Sequence, residues 1–463
     1  MCITMAKEGR LMPKRNWYSR LAVFAAVVVL ACAGCSATKS SAPASSTAPA
    51  TDTVHIHGDA SSPVNKIVIK SIADLQAFWG GEFPKLYGHD YTPVKGGFYA
   101  VTPSSGQFAP CAQAAADISG NAFYCSKADD VAWDAEQLLP DLRKRFGDFV
   151  IPVVLAHEWG HAIQARSNFE GPTVVKEIQA DCFAGAWAAH AAKSDAFKPS
   201  DDDLDNALAG FLFLRDEPGT EKRDPQAHGS GFDRVNSFRT GFDNGTASCK
   251  GYKPGDPPVV EIPFNSAADV ESGGNAPYDD IINGVPTDLE DYWSQVYPKL
   301  TGQPWTPLQP ARAFNPADPP SCGGQPTSDY VLFYCVPEDY VGFDAVKAMP
   351  QIYEQGGDFA VATLIATQYG LAVLSHGGQD ASDKLTSLRA DCMAGAWAAS
   401  ILLEDRPESG FKMSPGDLDK GITALIVFRG SGDVARQGHG SVRVDAYRDG
   451  VMNGAKACVT RAS

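Results

Sequence analysis

FVIPVVLAHEWGHAIQARS (149–167) is an apolar run that carries two imidazoles, His157 and His161, with Glu158 beside the first. On an α-helix, residues four apart share a face, so both rings can reach one cation. Glu158 then lies close enough to act on a water held there. A charged face on an ordinary helix is the plainer reading, but it does not call for a partner segment, and one follows. EIQADCFAGAWAA (177–189) sets Glu177 and Asp181 four apart on a second helical face. A catalytic zinc site needs three protein ligands and an open fourth position. The spacing predicts helices over 149–167 and 177–192, the first giving His157 and His161 and the second Glu177 to a single Zn2+. Asp181, one turn on, is placed to orient a ligating imidazole through its other nitrogen. Ala184, Gly185, Ala186 and Ala188 let the second helix approach closely.

HEWGHAIQ followed by EIQADCFAGAWA resembles the bacterial neutral zinc metallopeptidase family, which shows HExxH, a following Gln, and an ExQADCxAGxWA segment. NAFYC (121–125) and HGS (228–230) near Arg234 are similar to that family as well, so the likeness spans roughly residues 70–250. It implies a zincin-like fold, His157, His161 and Glu177 as metal ligands, and Glu158 as catalytic base. The reaction implied is peptide-bond hydrolysis through a zinc-bound water, from which Glu158 takes a proton for the leaving amine. His228 is a candidate donor to the developing oxyanion. Its match to His439, in a stretch without ligands, favours a structural role instead.

Working outward, the second segment recurs: ADCFAGAWAA (180–189) returns as ADCMAGAWAA (390–399). Phe123-Tyr124-Cys125 returns as Phe333-Tyr334-Cys335, VNSFRTGFDNG (235–245) as VDAYRDGVMNG (444–454), and Trp79 with Pro84-Lys85-Leu86 as Trp293 with Pro298-Lys299-Leu300. Such matches predict a duplication. The expected architecture is α+β: two tandem zincin-like domains, mainly helical with a small sheet each, whose edge would take an extended peptide. In the later stretch the HEWGH positions read Thr367-Gln368-Tyr369-Gly370-Leu371 and Glu177 becomes Ser387. That copy should keep the fold and lack the reaction, and His376 in its Gly-rich loop reads as a surface residue. The predicted limits are a metallopeptidase domain over 63–250, a linker over 251–280 with one strand at Val259–Ile262, and a degenerate repeat over 281–463. The repeat also pairs the cysteines as Cys111 with Cys125, Cys182 with Cys249, Cys322 with Cys335, and Cys392 with Cys458. A metal or redox role for Cys182 is the rival reading; its twin Cys392, in the copy without ligands, favours disulfides.

Lys14, Arg15 and Arg20 precede the apolar run Leu21–Leu30, and Ala33-Gly34-Cys35 closes it in the manner of a lipobox. Residues 1–35 therefore read as a lipoprotein leader with Cys35 as the lipidated residue, an ordinary signal peptide or uncleaved anchor being the plainer alternative. The Ser, Ala, Thr and Pro of residues 36–62 read as a tether. His55 and His57, at its end, read as an exposed strand end rather than a metal pair. The chain is then expected at the outer face of the bacterial cell membrane, or secreted, acting on peptide or protein substrates. A formal charge of -16 over 463 residues argues against nucleic acid as a partner, since a phosphate-binding surface needs a basic face. The rival from another class is a surface scaffold or peptide-binding lipoprotein whose peptidase chemistry is vestigial.

Overall fold

The structure, a computed structural model, describes residues 54–253, 255, 259–428 and 433–462. The predicted leader, Cys35 and residues 36–53 of the tether lie outside the described residues. Residues 54–62 are described and do not hang free: His57 donates from its amide to Phe98 and accepts from the Ala100 amide, 2.8 Å each. Its ring stacks on Tyr99.

Ser62 accepts from the Asn65 amide and Pro63 sits where its missing N–H costs nothing, so α1 (Pro63–Tyr87) starts there. Next come β1 (Gly97–Val101), β2 (Ala122–Cys125) and β3 (Asp130–Asp134). They form a sheet in the order β1-β3-β2, with β1 parallel and β2 antiparallel to β3. The helices α2 (Leu138–Phe146), α3 (Val150–Ser167), α4 (Thr173–Ala191), α5 (Asp201–Phe213), α6 (Gly231–Asn244) and α7 (Thr246–Lys250) complete this set. After α8 (Ala267–Glu271) the same order returns: α9 (Tyr278–Thr301), β4 (Arg312–Phe314), the extra hairpin β5 (Ser321–Cys322) and β6 (Gln325–Pro326), then β7 (Leu332–Cys335) and β8 (Tyr340–Asp344). The second sheet runs β4-β8-β7 with the same parallel and antiparallel pairing. It is followed by α10 (Ala348–Gly356), α11 (Asp358–His376), α12 (Lys384–Leu402), α13 (Asp417–Val427), α14 (Asp433–Gln437) and α15 (Gly440–Thr460). The chain is thus mainly helical with small sheets.

The core lies between the small-residue faces of these helices. A side chain on Gly185 would put its Cβ 1.8 Å from the Phe238 carbonyl oxygen, and one on Gly241 would sit 1.8 Å from that of Cys182, so α4 and α6 touch backbone to backbone. Gly395 and Gly450 do the same for α12 and α15. Trp187 is buried against α1 with its Nε1 donating to Asp74 at 2.7 Å, and Trp397 donates to Asp288 at 2.7 Å. Among the described residues one helix, α11, is long and apolar enough to cross a membrane, yet 83% of that window is buried, as a core helix would be.

Three sequence expectations change. α4 starts at Thr173, not 177, because Pro172 presets the entry and Val174 and Val175 bury against Ala227. Tertiary packing there outweighs the weak helix preference of the β-branched residues. Val259–Ile262 forms no strand: the Val260 amide donates to Asp233 instead of to a neighbouring strand. His376 is half-buried and lies on a helix, not in a loop. It ends α11, pairs with Asp339 at 2.9 Å, and packs against Trp305.

Candidate metal centre

Gly160 lets α3 lie directly on α4, since a Cβ there would fall 2.6 Å from the Ala180 Cα. That approach brings the predicted ligands together. His157 Nε2 is 3.1 Å and His161 Nε2 3.5 Å from the same Glu177 oxygen, Oε2. One ligand atom from each residue lies within 4.8 Å of the others. Glu177, in the second turn of α4, is fixed by helical structure on both sides.

The remaining ring nitrogens decide what these three groups can hold. His157 Nδ1 is 2.7 Å from Asp181 Oδ1, and Asp181 is gripped by Arg234, Nε to Oδ2 and Nη2 to Oδ1 at 2.9 Å each. Arg234 Nη1 donates to the Leu214 carbonyl at 2.7 Å. His161 Nδ1 is 3.0 Å from Gln164 Oε1. The Gln164 amide donates to the Lys176 carbonyl and to Gln179 Oε1, and Gln179 donates to the Cys249 carbonyl at 3.1 Å. With each Nδ1 engaged from outside, both Nε2 atoms face the Glu177 carboxylate, and loss of the protons they share with it would free their lone pairs for an ion. Two neutral imidazoles and a carboxylate converging this way form a donor set suited to Zn2+, with outer partners that fix each tautomer.

The charges agree with that reading. Burial opposes a proton on His157, but Asp181 and then Glu177 outweigh it and push the ring up to about 10. Burial also opposes charge on Glu177, yet His161 and His157 hold it well below the usual carboxylate range. Protons on the imidazoles thus stand in for a cation, and binding one would release them. Glu158 is raised, first by burial, with the two imidazoles and the Tyr124 amide pulling the other way.

A cleft of about 710 Å³ opens onto these groups, walled on one side by β2 and on another by Phe211 and Leu214. β2 is one outer strand of the sheet, and its Tyr124 amide donates to Glu158 Oε2 at 2.9 Å. His228 lines the same cleft, its Nδ1 3.1 Å from Asp216 Oδ1 and its amide donating to Asp216 at 2.6 Å. Here the sequence match misleads. His439 sits immediately before α15, as Ser230 does before α6, so its counterpart is Ser230 and not His228. The position two residues before the cap, His228, is Gln437 in the later set, and the argument for a purely structural His228 falls away.

In that later set Thr367 Oγ1 donates to the Leu364 carbonyl and Gln368 donates to Thr367, so these side chains satisfy one another and offer no imidazole. Asp391 and Arg443 nevertheless form the same two-bond pair, at 2.8 Å each. The Asp181–Arg234 clamp is therefore part of the frame as well as an imidazole partner. Cys111–Cys125, Cys182–Cys249, Cys322–Cys335 and Cys392–Cys458 are disulfides, as the repeat predicts.

Five contributors were given no role from sequence: the Tyr124 amide, Gln164, Gln179, Asp216 and Arg234. Gln164 and Gln179 stand inside the quoted motifs, and their regular spacing from His161 and Glu177 was the available signal. Tyr124 offers none, because its contribution is a main-chain amide.

The profile of the family described as "Putative neutral zinc metallopeptidase" matches residues 19–252, about half of the chain. The "Uncharacterized protein YpfJ" of Escherichia coli K12 is 28% identical over 199 residues, 38% of this chain and 66% of that protein. The "Uncharacterized protein Rv2575" of Mycobacterium tuberculosis H37Rv is 29% identical over 163 residues, 29% of this chain and 55% of that protein. The chain thus spans somewhat less than two thirds of the length of these relatives. No solved structure matches it. The matched stretch holds the imidazole pair, Glu158, Glu177 and the Asp181–Arg234 clamp, and the chain belongs to this neutral zinc metallopeptidase family.

Proposed function

We propose that the chain is a membrane-tethered, extracytoplasmic zinc metalloendopeptidase with one active centre, in residues 63–250. One observation carries the reading: both imidazoles have Nδ1 engaged from outside and Nε2 turned to a shared Glu177 oxygen. His157, His161 and Glu177 would hold the ion. Bound there, Zn2+ supplies Lewis acidity and a water with a pKa of about 7.

The chain's own groups do the rest. Glu158, oriented by the Tyr124 amide, takes a proton from the attacking water and delivers it to the leaving amine. The β2 edge offers main-chain groups to an extended peptide laid across the cleft. His228, with Nδ1 committed to Asp216, leaves its other ring nitrogen for the developing oxyanion. The four disulfides favour an oxidising location, and Ala33-Gly34-Cys35 favours a lipid anchor there. Residues 281–463 are a second copy of the fold, supported by the repeated order of elements, that has lost its ligands and supports the first.

The test is metal analysis of the purified chain together with a peptidase assay of Glu158→Gln. One zinc per chain is expected, retained in the variant while hydrolysis falls by roughly 10²- to 10⁴-fold. A chain that takes up no zinc would overturn the peptidase reading and leave the scaffold.

A further inference from the structure

Two reciprocal contacts join the earlier set of elements to the later one. On α5, Asp205 accepts from the first-turn amides of α15, Gly440 at 2.8 Å and Ser441 at 2.6 Å. On α13, Asp419 accepts from the first-turn amides of α6, Gly231 at 3.0 Å and Phe232 at 2.7 Å. Both carboxylates are buried. Each sits against a glycine with little room for a side chain: a Cβ on Gly231 would lie 3.0 Å from Asp419 Cγ, and one on Gly440 would lie 3.4 Å from Asp205 Cγ. Further along the same boundary Arg239 faces Asp445 at 3.7 Å, while its counterpart Arg448 donates to Asn236.

The two caps are alike, but what lies behind them differs. Behind the Asp205 cap, Arg443 grips Asp391, and no imidazole follows. Behind the Asp419 cap, in the first turn of α6, Arg234 grips Asp181, and Asp181 holds His157 Nδ1. A second route runs beside it. Arg215 Nε is 3.1 Å from Asp419, and the preceding residue, Leu214, gives its carbonyl to Arg234. We propose that Asp419 is a positioning residue for the metal centre: residues 278–460, which hold no ligands, seat the first turn of α6 and the Leu214 carbonyl, and through Arg234 and Asp181 they set the orientation of His157. The later half is then a built-in support for the centre.

The physical basis is short. The first amides of a helix have no partner within it, and a carboxylate there satisfies them and complements the helix dipole. Removing it leaves two buried amides unpaired at the turn that aims Arg234. A displaced outer partner of a ligating imidazole weakens metal binding without touching the metal.

This proposal rests on the zinc reading, and the test separates the two. Zinc affinity of the full chain is measured by chelator competition, and the visible spectrum of the cobalt-loaded chain is recorded, for wild type, Asp419→Ala, Asp419→Asn and Asp205→Ala. Asp419→Ala should weaken zinc binding by about 10- to 100-fold and alter the cobalt spectrum. Asp419→Asn, which keeps one acceptor oxygen but loses the charge, should give an intermediate loss of about 3- to 10-fold and serves as the measurement should the alanine variant not fold. Asp205→Ala removes an equivalent cap from the same boundary. It should lower the unfolding midpoint while leaving zinc affinity within about twofold of wild type, because no imidazole lies behind that cap. Equal effects of the Asp419 and Asp205 variants on zinc, or none from the Asp419 pair, would overturn the positioning role with the zinc reading intact. A wild-type chain without zinc would overturn both.

Discussion

His157 lies between two carboxylates, Asp181 at Nδ1 and Glu177 at Nε2, and only the second would have to give way to an ion. Asp181 stays in place because Arg234 balances its charge in a site closed to water. The Asp181→Asn variant keeps the size of the side chain but offers Arg234 one oxygen in place of two, and it leaves the His157 tautomer undetermined. Zinc affinity should fall by about 10- to 100-fold, read by chelator competition. Asp391→Asn breaks the matching pair with Arg443, where Thr367 stands in place of the imidazole, so it should lower the unfolding midpoint and leave zinc binding alone. These pairs also show how far sequence reaches at this scale. The same-face spacing of His157 and His161 was legible because a metal demands it of a helix. The grip of Arg234 on Asp181 was not, because 53 residues separate them and nothing local ties one to the other.

At the scale of elements, the crossing of α4 and α6 leaves no space for a methyl group. Gly185→Ala or Gly241→Ala should therefore cost about 1–3 kcal/mol in denaturant unfolding, as overpacking does. The start of α6 adds a pH effect. Burial pushes Asp233 up to about 7, with the Val260 amide and Ser230 hydroxyl pulling it down and Asp419 nearby adding to the rise. Between its unfolded value near 3.8 and about 7 the folded chain keeps a proton that the unfolded chain gives up. The stability this group contributes is thus present at low pH and lost as pH rises through the folded value. Asp233→Asn removes that loss, so the thermal midpoint of the variant relative to wild type should climb from about pH 5 to about pH 8. A flat difference would exclude a proton on Asp233. The two helices that carry the ligands were legible from the four-residue spacing of their polar groups and the small-residue run 184–188. The start of α4 was not, because Thr173, Val174 and Val175 favour other conformations until burial decides. Nor was the true counterpart of His228, since the shared His-Gly-Ser tripeptide falls on opposite sides of a two-residue shift that only the helix starts reveal.

For the whole molecule, the cysteine pattern carried the most information, because a repeat that keeps four positions leaves few sensible pairings. What it withheld was the reciprocal boundary, where Asp205 and Asp419 each cap a helix of the other set across more than 180 residues of chain. The Cys182–Cys249 bridge joins α4 to α7 over a separation of 67 residues. Replacing both cysteines by alanine should cost about 2–5 kcal/mol, measured by unfolding in denaturant. Its position has a further consequence. Cys249 supplies the carbonyl that ends the run Gln179, Gln164, His161, so the sulfur bridge anchors the far end of the hydrogen-bond line that turns one imidazole. A newly made chain with its thiols still reduced lacks that anchor. On the proposed function, closure of this bridge would therefore come before loading with zinc, because the imidazole is aimed only once the far end of its hydrogen-bond line is pinned.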